Sequence, residues 1–491
     1  MLVIVMEDTP LPCYLVRSQR IKRVFSFRLL TIMLLTALAA IFSSPSARGQ
    51  NVFWTGGGGD GLWNDPANWS TGTVPSGPTF NAAINGSGTF VSVINTAPSV
   101  LSLQIGHGAE LSVNLPGELF VGNGSIGSLT NAGLVGLGNT TIVLNAHNAQ
   151  INNSGNIDLE GFSTFISTIQ MNGSATLFGG GNVNLLCPPS APICANFLTA
   201  KNTLTNVNNN IGGGGYIQAT TLLNGGTINS DAAFIPSEGL PLSPHMSIAV
   251  NNLFNSGTLE ATNNSLMTIT TNPGGFVNVG NVIAAQSSTI TLGLADYLQL
   301  GGTTTVNGNL TVTSSNQMMD ILGGTVLGTG TINSNVFSNG TFKPGSAGVP
   351  GMLTINGSYT QGALGTLTEQ ITGVASGTGF SMLDVNGSID LAGSLDIKEL
   401  NGFVPFDGEA FDILNYLGTE EGTFANASPT GFQMDGWNWD INYDFDGDEV
   451  VLTAVSPDPP GVRTAEPGEL LLLATGLLAL GACHQRKRAQ T

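Results

Sequence analysis

The chain has 491 residues and a formal net charge of −19, yet charged residues make up only 9% of it and hydrophobic residues 41%. Residues 51–462 hold no arginine and three lysines (Lys201, Lys343, Lys398) against 28 carboxylates. Such an inventory offers no basic patch for nucleic acid, anionic lipid or acidic polysaccharide, and its apolar content is too high for a disordered chain.

The chain opens with Arg17, Arg20, Lys22, Arg23 and Arg28 ahead of the apolar run from Leu29 to Phe42, followed by Ala47-Arg48-Gly49. A basic segment, an apolar helix and small residues at the cleavage positions predict a signal peptide over 1–49, cut after Gly49.

From there the pattern is of strands. Ile290, Leu292 and Leu294 alternate with Thr and Gly, as Leu310 and Val312 do, and no amphipathic helical stretch of ordinary length occurs between 51 and 462. Seven Asn/Gly turns each precede a short alternating run, beginning at Asn131, Asn153, Asn224, Asn255, Asn278, Asn307 and Asn339. Their spacing suits coils of about 20–30 residues, and positive φ at Asn and Gly is the expected reason for the corners. The predicted fold is all-β: a right-handed parallel β-helix over 50–345, a C-terminal β cap over 346–462, and helical signals at both ends. A β-sandwich array is the alternative. The boundary near 345 follows the carboxylates, 11 in residues 51–360 and 17 in residues 361–462.

Phe53-Trp54-Thr55-Gly56, Asp60-Gly61-Leu62-Trp63 and Asn68-Trp69 resemble the opening motif of autotransporter-like β-repeat proteins, and three tryptophans can cover the apolar end of a first coil. The stretch from Phe342-Lys343-Pro344-Gly345 to Tyr359-Thr360-Gln361 resembles the segment that ends many autotransporter passenger-like β-helices. No series of amphipathic strands suited to an outer-membrane barrel follows Val455.

Four cysteines occur, with Cys13 and Cys483 in the terminal signals. Cys187 and Cys194 bracket a Pro-rich loop, and an oxidising export compartment favours a disulfide between them. Asp444, Asp446, Asp448 and Glu449 surround a glycine turn; a calcium site and a solvated hairpin are both open readings.

Catalytic groups are scarce. A uronate lyase needs basic residues that this body lacks. Two carboxylate pairs, Asp158 with Glu160 and Asp384 with Asp390, are the candidates for a glycosidase. His107, His147 and His245 accompany no Gly-x-Ser-x-Gly elbow and no zinc-like cluster. Trp437 and Trp439, alternate residues on one strand, suit either a sugar platform or an end cap.

At the C-terminus Arg463-Thr464-Ala465-Glu466-Pro467 precedes the apolar run Leu470 to Cys483 and the basic tail Arg486-Lys487-Arg488. The run would span roughly 21 Å as a helix, short of the ~30 Å hydrocarbon core, so a processed anchor is expected. This order resembles the PEP-CTERM sorting signal, with Glu466 and Pro467 carrying the motif and Ala465 standing where that family has proline. The resemblance implies signal peptidase and an exosortase-type enzyme as processing partners, and delivery to the envelope or surface of a Gram-negative bacterium. The resulting expectation is a structural, adhesion or matrix protein without catalytic activity and without a required cofactor, with an extracellular polysaccharide as its partner. A β-helix carbohydrate-active enzyme or glycan-binding module is the second reading.

Overall fold

The computed structural model describes residues 49–456, apart from 162–163, 188–193, 232–244, 273, 294–296, 314–317, 429–436 and 445–446. The calls on residues 1–48 and 463–491, including Glu466 and Pro467, lie outside the described residues. Within them the regular structure is nearly all β, with one 3-10 turn at Pro66–Asn68, and no helix is long and apolar enough to cross a membrane.

Each coil contains three short strands. Ser167–Met171 lies on what is here called face 1, Ser174–Phe178 on face 2 and Asn182–Leu185 on face 3. The next coil repeats them as Asn196–Ala200, Thr203–Asn206 and Asn210–Gly213, each in parallel register with its predecessor. Face 3 is a single 15-stranded parallel sheet from Phe90–Val93 to Asn426–Ser428, while faces 1 and 2 belong to one 30-stranded sheet. This is a parallel β-helix. Alternation drives it: Ile169, Ala175, Leu177 and Val183 point in and are buried, while Thr168, Thr176 and Asn184 point out.

The Asn/Gly turns do mark coils, but not for the expected reason. At Asn131, Asn153, Asn224, Asn255 and Asn278 the asparagine is buried, and neither it nor the glycine two residues on has a positive φ. Instead the amides link across coils. Asn206 Nδ2 donates to Asn224 Oδ1 at 2.9 Å, Asn224 Nδ2 to Asn255 Oδ1 at 2.8 Å, and Asn255 Nδ2 to Asn278 Oδ1 at 2.8 Å. Asn131 Nδ2 donates likewise to Asn153 Oδ1 at 2.9 Å. The glycines stack beneath this ladder. A Cβ on Gly257 would overlap the carbonyl oxygen of Gly226, and one on Gly280 that of Gly257. Close backbone approach therefore selects glycine there, and the left-handed residues, Asn139 and Asn263 among them, sit elsewhere.

Further along, Gln299 and Gln361 take the asparagine's place. Each accepts a hydrogen bond from a buried tyrosine two residues before it, Tyr297 at 3.1 Å and Tyr359 at 2.9 Å. Asn307-Gly308 belongs to a different corner, between face 3 (Thr303–Val306) and face 1 (Asn309–Val312), and Asn307 is exposed. Two intervals in the sequence pattern were thus not coil lengths. The 71-residue gap from Asn153 to Asn224 corresponds to three ladder steps, through Asn156, Asn182, Asn210 and Thr227.

The helix does not stop at 345. Thr341–Pro344 pairs in parallel with Thr366–Ile371, and the same face continues to Ser394–Glu399 and Asn426–Ser428. Asp384, Asp390 and Asp396 take outward positions on these later coils, so the composition shifts while the parallel pairing continues. The last strands differ: Asn438–Asp444 pairs antiparallel with Glu449–Val455, which in turn lies antiparallel to Ala410–Tyr416. It lays Trp437, Trp439, Ile441 and Tyr443 against the core end, with Trp439 on the Phe411 ring at 5.6 Å.

One acid breaks the inward pattern. Glu369 is fully buried, and neither carboxyl oxygen has a hydrogen-bond partner among the described residues. Burial raises its pKa well above the usual carboxylate value, so the folded chain holds it neutral. The unfolded chain ionises above its ordinary value of 4.5, and the folded one does not until a much higher pH. Stability contributed by this group is therefore complete below 4.5 and declines as pH rises through that window. Glu260 and Glu449 are shifted in the same direction by burial and neighbouring acids. The expected result is a higher urea midpoint at about pH 5 than at about pH 8, with Glu369→Gln flattening that difference.

Candidate functional site

Outward positions on face 1 form columns because parallel register keeps like-facing residues in line. One column reads Thr168, Phe197, Tyr216, Ser247 and the next reads Gln170, Thr199, Gln218, Ala249. The Phe197 and Tyr216 rings stack with centroids 4.7 Å apart and planes 10° apart. His245 meets Tyr216 edge-on at 6.3 Å. All three are half-buried.

Beside the rings lies an open cleft of about 480 Å³, lined by Gln170, Asn172, Thr199, Lys201, Gln218 and Asn251 among others, with no carboxylate in its wall. Its origin is a change in the coil. After Asn196–Ala200 the chain turns at Lys201-Asn202 onto face 2, but in the next two coils Gly215–Asn224 and His245–Asn255 run across both faces as single strands. Losing that corner flattens the exterior and leaves a hollow beside Lys201. Gln170 Nε2 is held to Asn172 Oδ1 at 2.8 Å, and Thr220 Oγ1 donates to the Lys201 carbonyl at 3.0 Å. The lining offers amides, hydroxyls and a cation, and the Phe197 and Tyr216 rings stand in the column beside it.

The residues singled out from the sequence are dispersed. Asp158, outward on face 3, accepts a hydrogen bond from Asn184 Nδ2 at 2.7 Å, and Glu160 lies exposed beyond the strand end. Asp384 is on face 1 and Asp390 on face 2, so they do not share a face. His107 and His147 are exposed at corners. Lys398 pairs with Asp396 at 2.9 Å on the outside of face 3, and Lys343 sits half-buried on that same face.

Asp444 and Glu449 face each other across the terminal hairpin, where Gly447 N–H donates to Asp444 Oδ1 at 3.1 Å and Asp448 takes a left-handed φ of 58°. Asp446 lies outside the described residues. Among the described residues no group of three or more His, Cys, Asp or Glu is arranged to hold a metal ion.

Cys187 and Cys194 are disulfide-bonded, with Cα atoms 5.3 Å apart, immediately before the strand that carries Phe197. A loop this short restricts the unfolded chain little. Replacing both cysteines by serine is expected to lower stability by roughly 2 kcal/mol, read as a shift in the urea midpoint under non-reducing conditions.

At the N-terminal end Trp63 and Trp69 are buried, their rings 4.7 Å apart, and Trp54 meets Trp69 edge-on at 5.1 Å. Trp69 Nε1 donates to the Trp63 carbonyl at 2.8 Å. Buried Asn68 ties the loop together through Asp60 Oδ1 at 2.7 Å and Gly58 N–H at 2.8 Å. The Leu62 N–H and Asn68 hold the Asp60 carboxyl below its usual pKa.

No family model matches the chain. Over 100 residues it is 36% identical to the adhesin BmaC autotransporter of Brucella suis biovar 1 (strain 1330), a stretch that is 20% of this chain and 3% of that protein. The chain is autotransporter-passenger-like in fold and in this stretch of sequence. Phe197 and Tyr216 carried no sequence signal: they are 19 residues apart, on coils whose lengths differ, and only the register brings them together.

Proposed function

We propose that this chain is an exported, surface-displayed adhesion passenger with no catalytic activity of its own. The observation that carries the reading is the unbroken parallel ladder from Phe90 to Ser428, which places rows of hydroxyl and amide side chains along an elongated exterior. The local likeness to an adhesin autotransporter supports it. In this reading the tail beginning at Arg463 delivers the chain to the envelope of a Gram-negative bacterium, where an exosortase-type enzyme recognises Glu466-Pro467 after signal peptidase has cut at Gly49. Repeated strands make a rigid, protease-resistant spacer, and such a spacer can hold a binding face away from a membrane.

Fractionation of the native host tests the reading. The mature chain is expected in the envelope or extracellular fraction, and cells lacking it are expected to attach less to surfaces or to one another. Retention of the chain in the cytosol, or attachment unchanged by its loss, would contradict it.

A further inference from the structure

We infer that the Phe197–Tyr216 face and the cleft beside it form a binding site for a neutral polysaccharide; this rests on the adhesion reading and names what the passenger holds. Three independent features converge there. First, the rings of Phe197 and Tyr216 stack face to face in a column whose flanking positions are Thr168 and Ser247, so an apolar ridge of ring edges interrupts an exterior of hydroxyls. The C–H patches of a pyranose ring pack against such a ridge while its hydroxyls reach the amides beside it.

Second, the adjoining column offers the rim groups. Gln170, Thr199 and Gln218 lie in register on successive coils, with Asn172, Lys201 and Asn251 beyond them. Adjacent strands of a sheet are about 4.8 Å apart, so each coil advances by about the length of one sugar unit. Amides and hydroxyls both donate and accept, as a sugar hydroxyl does. Third, the hollow made by the missing corner holds about 480 Å³, room for a short stretch of chain, and is open along the surface.

Charge selects the class of sugar. Twenty-eight carboxylates in residues 51–462 repel a polyanion over the whole body, and Lys201 is the one cation in the lining of this cleft. A single exposed lysine does not offset that field. A neutral hexose polymer meets no such barrier.

Affinity electrophoresis of the full-length chain through gels containing dextran, amylose, galactomannan or hydroxyethylcellulose tests this, with alginate as the acidic comparison. At least one neutral polymer is expected to retard the protein, and Phe197→Ala/Tyr216→Ala to weaken that binding by about tenfold or more, the equivalent of one lost ring contact of about 1.4 kcal/mol. Thermal unfolding checks that the double variant keeps its structure. Should it not, Thr199→Asp, an outward change that leaves the rings in place, is expected to weaken binding instead. Retardation by no neutral polymer, binding unaffected by these changes, or binding of alginate alone that Lys201→Gln abolishes would overturn the inference. If purified chain fixed to beads attaches to bacterial cells while no neutral polymer retards it, this inference falls and the adhesion reading stands; polymer binding without attachment gives the reverse.

Discussion

Trp63→Ala is expected to lower stability by about 3–5 kcal/mol, the range for removing a large aromatic side chain from a packed core. Trp63 is fully buried, contacts Trp69 ring to ring, and lies at the first coil, which no preceding coil covers among the described residues. In a solenoid each coil is buried by its neighbours, so an end coil depends on its cap. The loss should appear first as weakened protection at the N-terminal strands, Gln50–Phe53 and Phe80–Ile84, with coils beyond Asn131 opening later. Hydrogen exchange resolves this. Uniform loss of protection along the chain, or a change below about 1 kcal/mol, would show that the tryptophans do not cap the helix.

The second large effect concerns the ladder. Asn255→Ala removes the acceptor for Asn224 Nδ2 and the donor to Asn278 Oδ1, and also the donor that reaches the Asn281 carbonyl at 3.0 Å. Each buried polar group left without a partner costs about 1–3 kcal/mol, so a total of about 2–4 kcal/mol is expected. Asn307→Ala is the matched comparison. Asn307 sits in the same Asn-Gly pattern but is exposed, and its side-chain Oδ1 accepts the Thr329 N–H at 3.3 Å, so about 0.5 kcal/mol is expected. Denaturant midpoints of the two variants distinguish a buried amide ladder from a set of surface turns. Equal effects at the two positions would contradict the ladder.

That comparison also marks how far the sequence could be read. Period-two runs such as Ile290-Thr-Leu292 identified strands, because alternation is imposed by the pleat itself. Asn-x-Gly identified most of the coils, yet the physics behind it was hidden: a buried amide and a backbone that passes too close for a Cβ look in sequence like a turn. Asn307 and Asn278 read alike and sit at different corners. The carboxylate enrichment after residue 361 read as a domain boundary, whereas it is a change on the exterior of a continuous helix.

The candidate site was less legible still. Lys201 was visible as one of three lysines, but its neighbours Gln170, Gln218 and Asn251 lie on other coils, and uneven coil lengths conceal which residues share a column. Trp437 and Trp439, two residues apart, suited a sugar platform and an end cap equally in the sequence; packing places them at the end of the core. Glu369 was one acid among 17 until its burial set it apart.

The central claim is that the chain is a continuous stack of coils in fixed parallel register. Thr227, Thr258, Asn281, Thr303, Thr325 and Thr341 follow one another outward on face 3 as successive register partners. Spin labels at positions 227 and 341 are therefore five strand spacings apart, about 24 Å along the stack before the reach of the labels. Pulsed electron–electron resonance on the doubly labelled chain is predicted to give one narrow distribution near that distance, and labels at 227 and 303 a shorter one near 14 Å, three spacings. Broad distributions, or a separation that does not grow with the number of intervening coils, would contradict the account.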